Sequence, residues 1–212
     1  MGCRTAGPTR RPLASASPRQ LGRSRRAAAE AARAAETSLR AVTDNPVFVA
    51  PDRVLSNGGY HDAAAAPALD GLAAAAADLC VLAERQTEAL LRSLLETGSC
   101  PRPVSTLSMV QAGLAEEARR TAQTTVLPLG GLAQNDTPSP VFFAWDAYDR
   151  VANCLRASLA ALAVVASQTL HERDRGAPPA LAGLLAEVRT HVPVVTEPRT
   201  LGPALEDLAA AL

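Results

Sequence analysis

The chain has 212 residues, 48% hydrophobic, 20% charged and 3% aromatic, enough for one domain or helical lobe with a buried core. Alanine and leucine supply most of the apolar mass and isoleucine is absent, a composition that favours helix and excludes an all-β fold. All 21 basic residues are arginine and 21 acids balance them; zero net charge argues against a dedicated nucleic-acid binder, which needs a clustered basic surplus.

The one basic cluster, from Arg4 to Arg26, contains no acid and is followed by no apolar run, so it is not a secretory signal. Residues 1–19 read as an arginine-rich flexible arm and residues 20–212 as a helical domain. From Arg23 to Val42 alanine-rich and charged positions alternate as in a helix, which stops before Asn45-Pro46, because the residue before proline disfavours helix. A short extended piece between Val47 and Leu55 and turn chemistry at Asn57-Gly58-Gly59 follow.

Pro67 opens a long helix with Leu69, Leu72, Ala76, Leu79, Leu82, Leu90, Leu94 and Leu95 near helical spacing, and Gly98, Pro101 and Pro103 end it. Pro67, Asp70 and Asp78 interrupt its apolar stretch, so no membrane span is expected. A third helix runs from Thr106 to Thr124 with Leu107, Val110 and Leu114 inward; residues 126–145 then concentrate Gly, Pro and small polar residues with three of the chain's six aromatics. A long helix over Asp146–Arg173, with Val151, Leu155, Leu159, Leu162 and Val165 on one side, and two short helices over 179–190 and 203–212 complete the chain. The expected fold class is all-α, a long antiparallel helical bundle.

Phosphate-cradling, dinucleotide, zincin and hydrolase-elbow motifs are absent. Three isolated histidines make no metal site, so no metal is expected. Cys3, Cys80, Cys100 and Cys154 lack CxxC spacing and suit free thiols of a cytoplasmic protein.

Four segments carry a resemblance: AVTDNPVF at 41–48, LSNGGYHDAAAAPALDGLAAAAADLCVLAERQ at 55–86, GLAEEAR at 113–119 and LAQNDTPS at 132–139. In order and spacing they resemble the aromatic amino acid lyases, the MIO-dependent histidine, phenylalanine and tyrosine ammonia-lyases and aminomutases. The resemblance runs from about Pro18 to the C-terminus and implies a fumarase/aspartase-like helical bundle whose active sites are shared between chains. It also implies a methylidene-imidazolone electrophile (MIO), made from an internal Ala-Ser-Gly, which the substrate attacks so that ammonia can leave. No Ala-Ser-Gly occurs here. Ala14-Ser15-Ala16-Ser17 comes nearest, without the glycine whose backbone freedom helps the cyclisation.

The chain therefore resembles the C-terminal part of a family member, and the MIO is expected from a partner chain. In the second segment Asn57 stands for the family's first glycine, Gly59 for its asparagine and Tyr60 for its pocket phenylalanine, while His61 keeps the histidine. In the last, Gln134 and Asp136 keep the family residues and Asn135 stands where histidine lyases have a glutamate, so histidine is a less favoured substrate and no carboxylate base is present at that position. Ser15 falls near the family's substrate-carboxylate arginine, leaving that role to the partner, to Arg10, Arg11 or Arg19, or to no residue.

The resemblance implies that Tyr60, His61, Gln134 and Asn135 bind substrate, with no catalytic residue assigned on this chain. Packing for Tyr60, and loop hydrogen bonding for His61 and Gln134, are the plainer readings of the same residues. The implied function is that of the electrophile-free small subunit of a split ammonia-lyase or aminomutase acting on an aromatic amino acid, of a kind suited to specialised metabolism. Its expected partner is a second lyase-family subunit carrying Ala-Ser-Gly, with self-association through the long helices. The competing readings are a noncatalytic subunit that stabilises or regulates its partner, and a fragment of one longer enzyme.

Overall fold

The computed structural model describes residues 11–126 and 139–212. The first helix, α1 (Arg11–Arg40), leads through the hairpin β1 (Val47–Ala50) and β2 (Arg53–Leu55) and a single 3-10 turn (Gly59–His61) to α2 (Ala65–Glu96). Then come α3 (Arg102–Ser105), α4 (Leu107–Thr121), α5 (Val141–Glu172), α6 (Ala182–His191) and α7 (Gly202–Ala211).

Helices α1, α2, α4 and α5 run alternately down and up. Ser24 and Ser17 of α1 reach Ala75 and Gln86 of α2, an antiparallel pairing. Leu107 and Ala118 of α4 meet Leu94 and Ala77 of α2, also antiparallel, and α5 packs on both. The all-α bundle expected from composition is the observed fold.

The seams follow a three-and-four spacing. Along α1 the partly buried line is Ser17, Gln20, Ser24, Ala27, Ala31, Ala34 and Ser38, with Gly22 beside it, and no residue of that helix with a described side chain is fully buried. On α5 the buried line is Ala144, Val151, Cys154, Ser158, Ala161, Val165 and Gln168. These spacings, close to 3.5 residues per turn, are those of left-handed knobs-into-holes packing, and the small side chains let the axes approach.

Several expectations from sequence change in detail. Helix α1 begins at Arg11, twelve residues before the sequence pattern starts, and carries Pro18 inside it; it crosses position 19 without a break. Proline removes one amide from the ladder, a local cost that the flanking helix formers tolerate. Helix α5 begins at Val141, because Pro140 serves as its N-cap and nothing in Phe142–Trp145 breaks a helix. The inward face of α2 is built from alanines with Cys80, Thr87, Leu91 and Leu94, while Leu69, Leu72, Leu79, Leu82 and Leu90 lie only half-buried at its flanks and Leu95 is exposed. On α4 Gln111 takes the inward place and Val110 remains 47% exposed; on α5 Ser158 and Ala161 face the core and Leu159 is exposed.

Both α2 and α5 are long and apolar enough to cross a membrane by length and composition alone, and here they supply the bundle's central packing. At one end, α6, α7 and the intervening residues close an aliphatic core of Leu91, Leu94, Val104, Val164, Val188, Val195 and Leu208. At the other end the core is thinner, made of Ala73, Ala77, Cys80, Ala118 and Val151. That thinner end carries the candidate site.

Candidate functional site

The site is assembled where α1 ends, α2 begins, α4 ends and α5 begins. Asn57 joins the first two pieces: its Nδ2 donates to the carbonyls of Val42 (2.6 Å) and Asp44 (3.2 Å). Its amide donates to Asn45 Oδ1 (3.0 Å), and its Oδ1 accepts from the Gly59 amide (2.9 Å). The Thr43–Pro46 loop and the Asn57–His61 loop are thus one hydrogen-bonded unit. A Cβ on Gly59 would stand 2.8 Å from the Val42 carbonyl oxygen, so the close approach needs glycine.

Asp62 closes this unit in the left-handed region, φ 43° and ψ 60°. A non-glycine residue there costs about 1–2 kcal/mol. Ser38 Oγ donates to Asp62 Oδ2 at 2.6 Å, clamping the loop onto the end of α1. The Tyr60 and His61 rings are thereby held with centroids 4.0 Å apart and planes tilted by 37°.

His61 faces a cavity of ≈ 690 Å³ whose walls are Ala63, Ala66, Pro67, Gly71 and Ala74 from the start of α2, Ala122, Thr124 and Thr125 after α4, and Ser139 and Pro140 before α5. Tyr60 stacks on His61 but does not line this cavity and is 42% exposed. Gln134 and Asn135 lie outside the described residues.

Two polar features of the cavity were not assigned from sequence. Asp70 accepts from Thr125 twice, from the amide at 2.8 Å and from Oγ1 at 2.6 Å. Ser139 Oγ is shielded from solvent and has no hydrogen-bond partner among the described residues. The available signal for Asp70 was its acid in an otherwise alanine-rich helix start, nine residues after His61; nothing in the sequence marked Thr125 or Ser139 as its cavity neighbours.

The described thiols offer no nucleophile. Burial, reinforced by Cys154 nearby, pushes Cys80 up to about 11, and burial likewise raises Cys100 and Cys154, so thiolate is scarce at neutral pH. Among the described residues no group of His, Cys, Asp and Glu is placed to hold a metal ion.

The sequence profile described as aromatic amino acid lyase matches residues 15–190. The chain belongs to the aromatic amino acid lyase family. Histidine ammonia-lyase of Sorangium cellulosum is 31% identical over 213 residues, covering 92% of this chain and 41% of that protein. Histidine ammonia-lyase of Streptomyces coelicolor is 47% identical over a shorter stretch of 74 residues, 35% of this chain and 14% of the relative. Among solved structures, tyrosine aminomutase from Streptomyces globisporus superposes with a TM-score of 0.84 at 24% identity, over all of this chain and 43% of that one. Histidine ammonia-lyase from Trypanosoma cruzi gives 0.84 at 22% identity, covering 94% and 42% of the two chains. These two likenesses establish the fold. The chain spans about two fifths or less of the relatives it matches.

The lyase family depends on MIO, and this chain does not fit the making of it. Ala14-Ser15-Ala16-Ser17 lies inside α1, where backbone amides are committed to the helical ladder and no glycine supplies a mobile amide.

Proposed function

We propose that the chain is the electrophile-free subunit of a split ammonia-lyase or aminomutase in the cytoplasm, completing a substrate cavity whose MIO comes from a partner chain. One observation carries this reading: Thr125 and Ser139, which bracket the segment containing Gln134 and Asn135, line the same ≈ 690 Å³ cavity as His61. Ser139, the last residue of the 132–139 segment, and His61 of the 55–86 segment therefore share one space, which is of ordinary size for a small-molecule site.

The contributions of this chain follow from its side chains. The alanine, proline and glycine walls suit the flat apolar part of an aromatic amino acid. His61 offers a hydrogen-bonding group at the cavity wall, where it orients substrate. Tyr60 holds the His61 ring from outside. Gln134 and Asn135 are assigned to substrate binding through the resemblance, and Asn135 supplies an amide in place of a base.

Against catalysis stands one further observation: no arginine lines the cavity among the described residues, so nothing there grips a carboxylate bidentately. That observation favours a second reading, a noncatalytic subunit that supports its partner. Both are tested by co-expressing the tagged full chain with a lyase-family chain carrying Ala-Ser-Gly. The measurements are co-purification, the electrophile's ultraviolet absorbance and ammonia release from L-histidine, L-phenylalanine and L-tyrosine. An active complex with lower activity in its His61→Ala and Asn135→Ala forms supports the split enzyme. A partner equally active with and without this chain would overturn it in favour of the supporting role.

A further inference from the structure

We infer that Asp70 is the positioning residue of the cavity: its carboxylate fixes where the segment leaving α4 stands relative to His61. As a statement about substrate this rests on the functional reading above. The geometry beneath it stands separately. Asp70 lies in the second turn of α2, itself a firmly packed core helix. Thr125 lies three residues beyond the α4 C-cap at Ala122, in irregular chain. Both oxygens of Asp70 are used by this one residue, 55 positions away, at 2.8 and 2.6 Å.

Three features separate positioning from other roles. First, among the described residues no other hydrogen bond ties 123–126 to α2 or α5; Gln123 bonds back to the Arg119 carbonyl of its own helix. The α2 and α5 sides of the cavity are set by helix packing, whereas the Thr124–Thr125 side depends on Asp70. Second, each carboxylate oxygen accepts one bond from Thr125, so both are engaged in holding the segment. Third, the contact lies beyond the end of α4: the last ladder bond runs from the Ala122 amide to the Ala118 carbonyl, and past it the Thr125 amide is spent on Asp70.

The test compares Asp70→Ala, Asp70→Asn, Thr125→Val and Thr125→Ser in the full chain assembled with its lyase-family partner, with circular dichroism confirming helix content. Thr125→Val, outside every helix, keeps the test available if Asp70→Ala does not fold. Hydrogen exchange at the 123–126 amides is expected to quicken about tenfold or more in Asp70→Ala, and less in Thr125→Val and Asp70→Asn, with α5 unchanged and Thr125→Ser close to wild type. In the same order KM for the amino acid that releases ammonia is expected to rise, by about tenfold in Asp70→Ala, with kcat within about threefold. Unaltered exchange at 123–126 would overturn the inference, as would quickened exchange with KM unmoved, or a fall in kcat alone. If the wild-type complex releases no ammonia, the functional reading fails, and exchange alone decides whether Asp70 holds the wall.

Discussion

At the scale of single residues, the loops around His61 are fixed by short polar side chains. The Asn57 side chain bonds backbone groups on both loops, its main-chain amide donates to the Asn45 side chain, and Gly59 permits the approach to Val42. Asn57→Ala and Gly59→Ala should therefore produce the same local effect: faster hydrogen exchange across 42–62, with each change costing about 1–3 kcal/mol of loop stability and α5 unaffected. Protection of that segment equal to wild type in both would show that the docking does not depend on these residues. The resemblance marked Asn57 and Gly59 as departures from the family pattern, but only the folded chain shows why the pair works together: the asparagine amide spans the gap that the glycine leaves. His61 was legible for the same reason, as a family residue in a turn. Asp70 was legible only as an irregularity, since its meaning depends on a partner 55 residues away.

Cys80 gives a prediction with a definite sign. Its thiol is fully buried and its folded pKa is raised from 9.0 to about 11, by burial first and Cys154 second. The neutral thiol is favoured in the fold, so this contribution is intact below pH 9 and is lost as pH rises from about 9 toward 11. Urea unfolding across that range should show stability falling in wild type, and falling less steeply in Cys80→Ala, with a limiting slope of about 1.4 kcal/mol per pH unit for the one proton. Parallel pH curves for the two proteins would refute the assignment.

At the scale of elements, six of the seven described helices were legible in their order, the four-residue α3 being missed, whereas the faces they bury were not. The leucines of α2 suggested one stripe, and the structure buries the alanine line between them, because closely approaching helices exclude larger side chains from the seam. Two buried glutamines hold these elements in register. Gln111 Nε2 donates to Thr87 Oγ1 (3.0 Å) and to the Ser158 carbonyl (2.8 Å), joining α4, α2 and α5. Gln168 exchanges both bonds with the Val195 backbone, donating at 3.2 Å and accepting at 3.0 Å, as a strand neighbour would. Truncating either leaves a cavity and orphaned partners, so Gln111→Ala and Gln168→Ala should each cost about 2–4 kcal/mol by urea denaturation. They should differ in place. Gln168→Ala should release residues 192–211 first, read as exchange confined to α7 and the segment before it, whereas Gln111→Ala should loosen α2, α4 and α5 together.

At the scale of the whole molecule, large apolar side chains stand exposed near the site end of the bundle and along the hairpin. Leu39 (87%), Phe48 (73%) and Phe142 (85%) are largely exposed, and Val42, Val49, Val54, Phe143 and Trp145 add to them. The hairpin β1–β2 is a two-stranded sheet with exposed apolar residues on both strands, and such ribbons are marginal in water without something to pack on. Helix α1 buries only one seam. Each feature leaves hydrophobic area that association would remove from water at about 25 cal/mol per Å². Purified alone, the chain is expected to sediment as an oligomer at micromolar concentration, and Phe48→Ser with Phe142→Ser should shift it toward the monomer while helix content by circular dichroism stays constant. With a lyase-family partner present, the homo-oligomer should give way to a mixed complex, because both would compete for the same apolar surface. A wild-type chain that remains monomeric across that concentration range, and binds no partner, would show that these side chains rest in water as they are and that the site is not built by association.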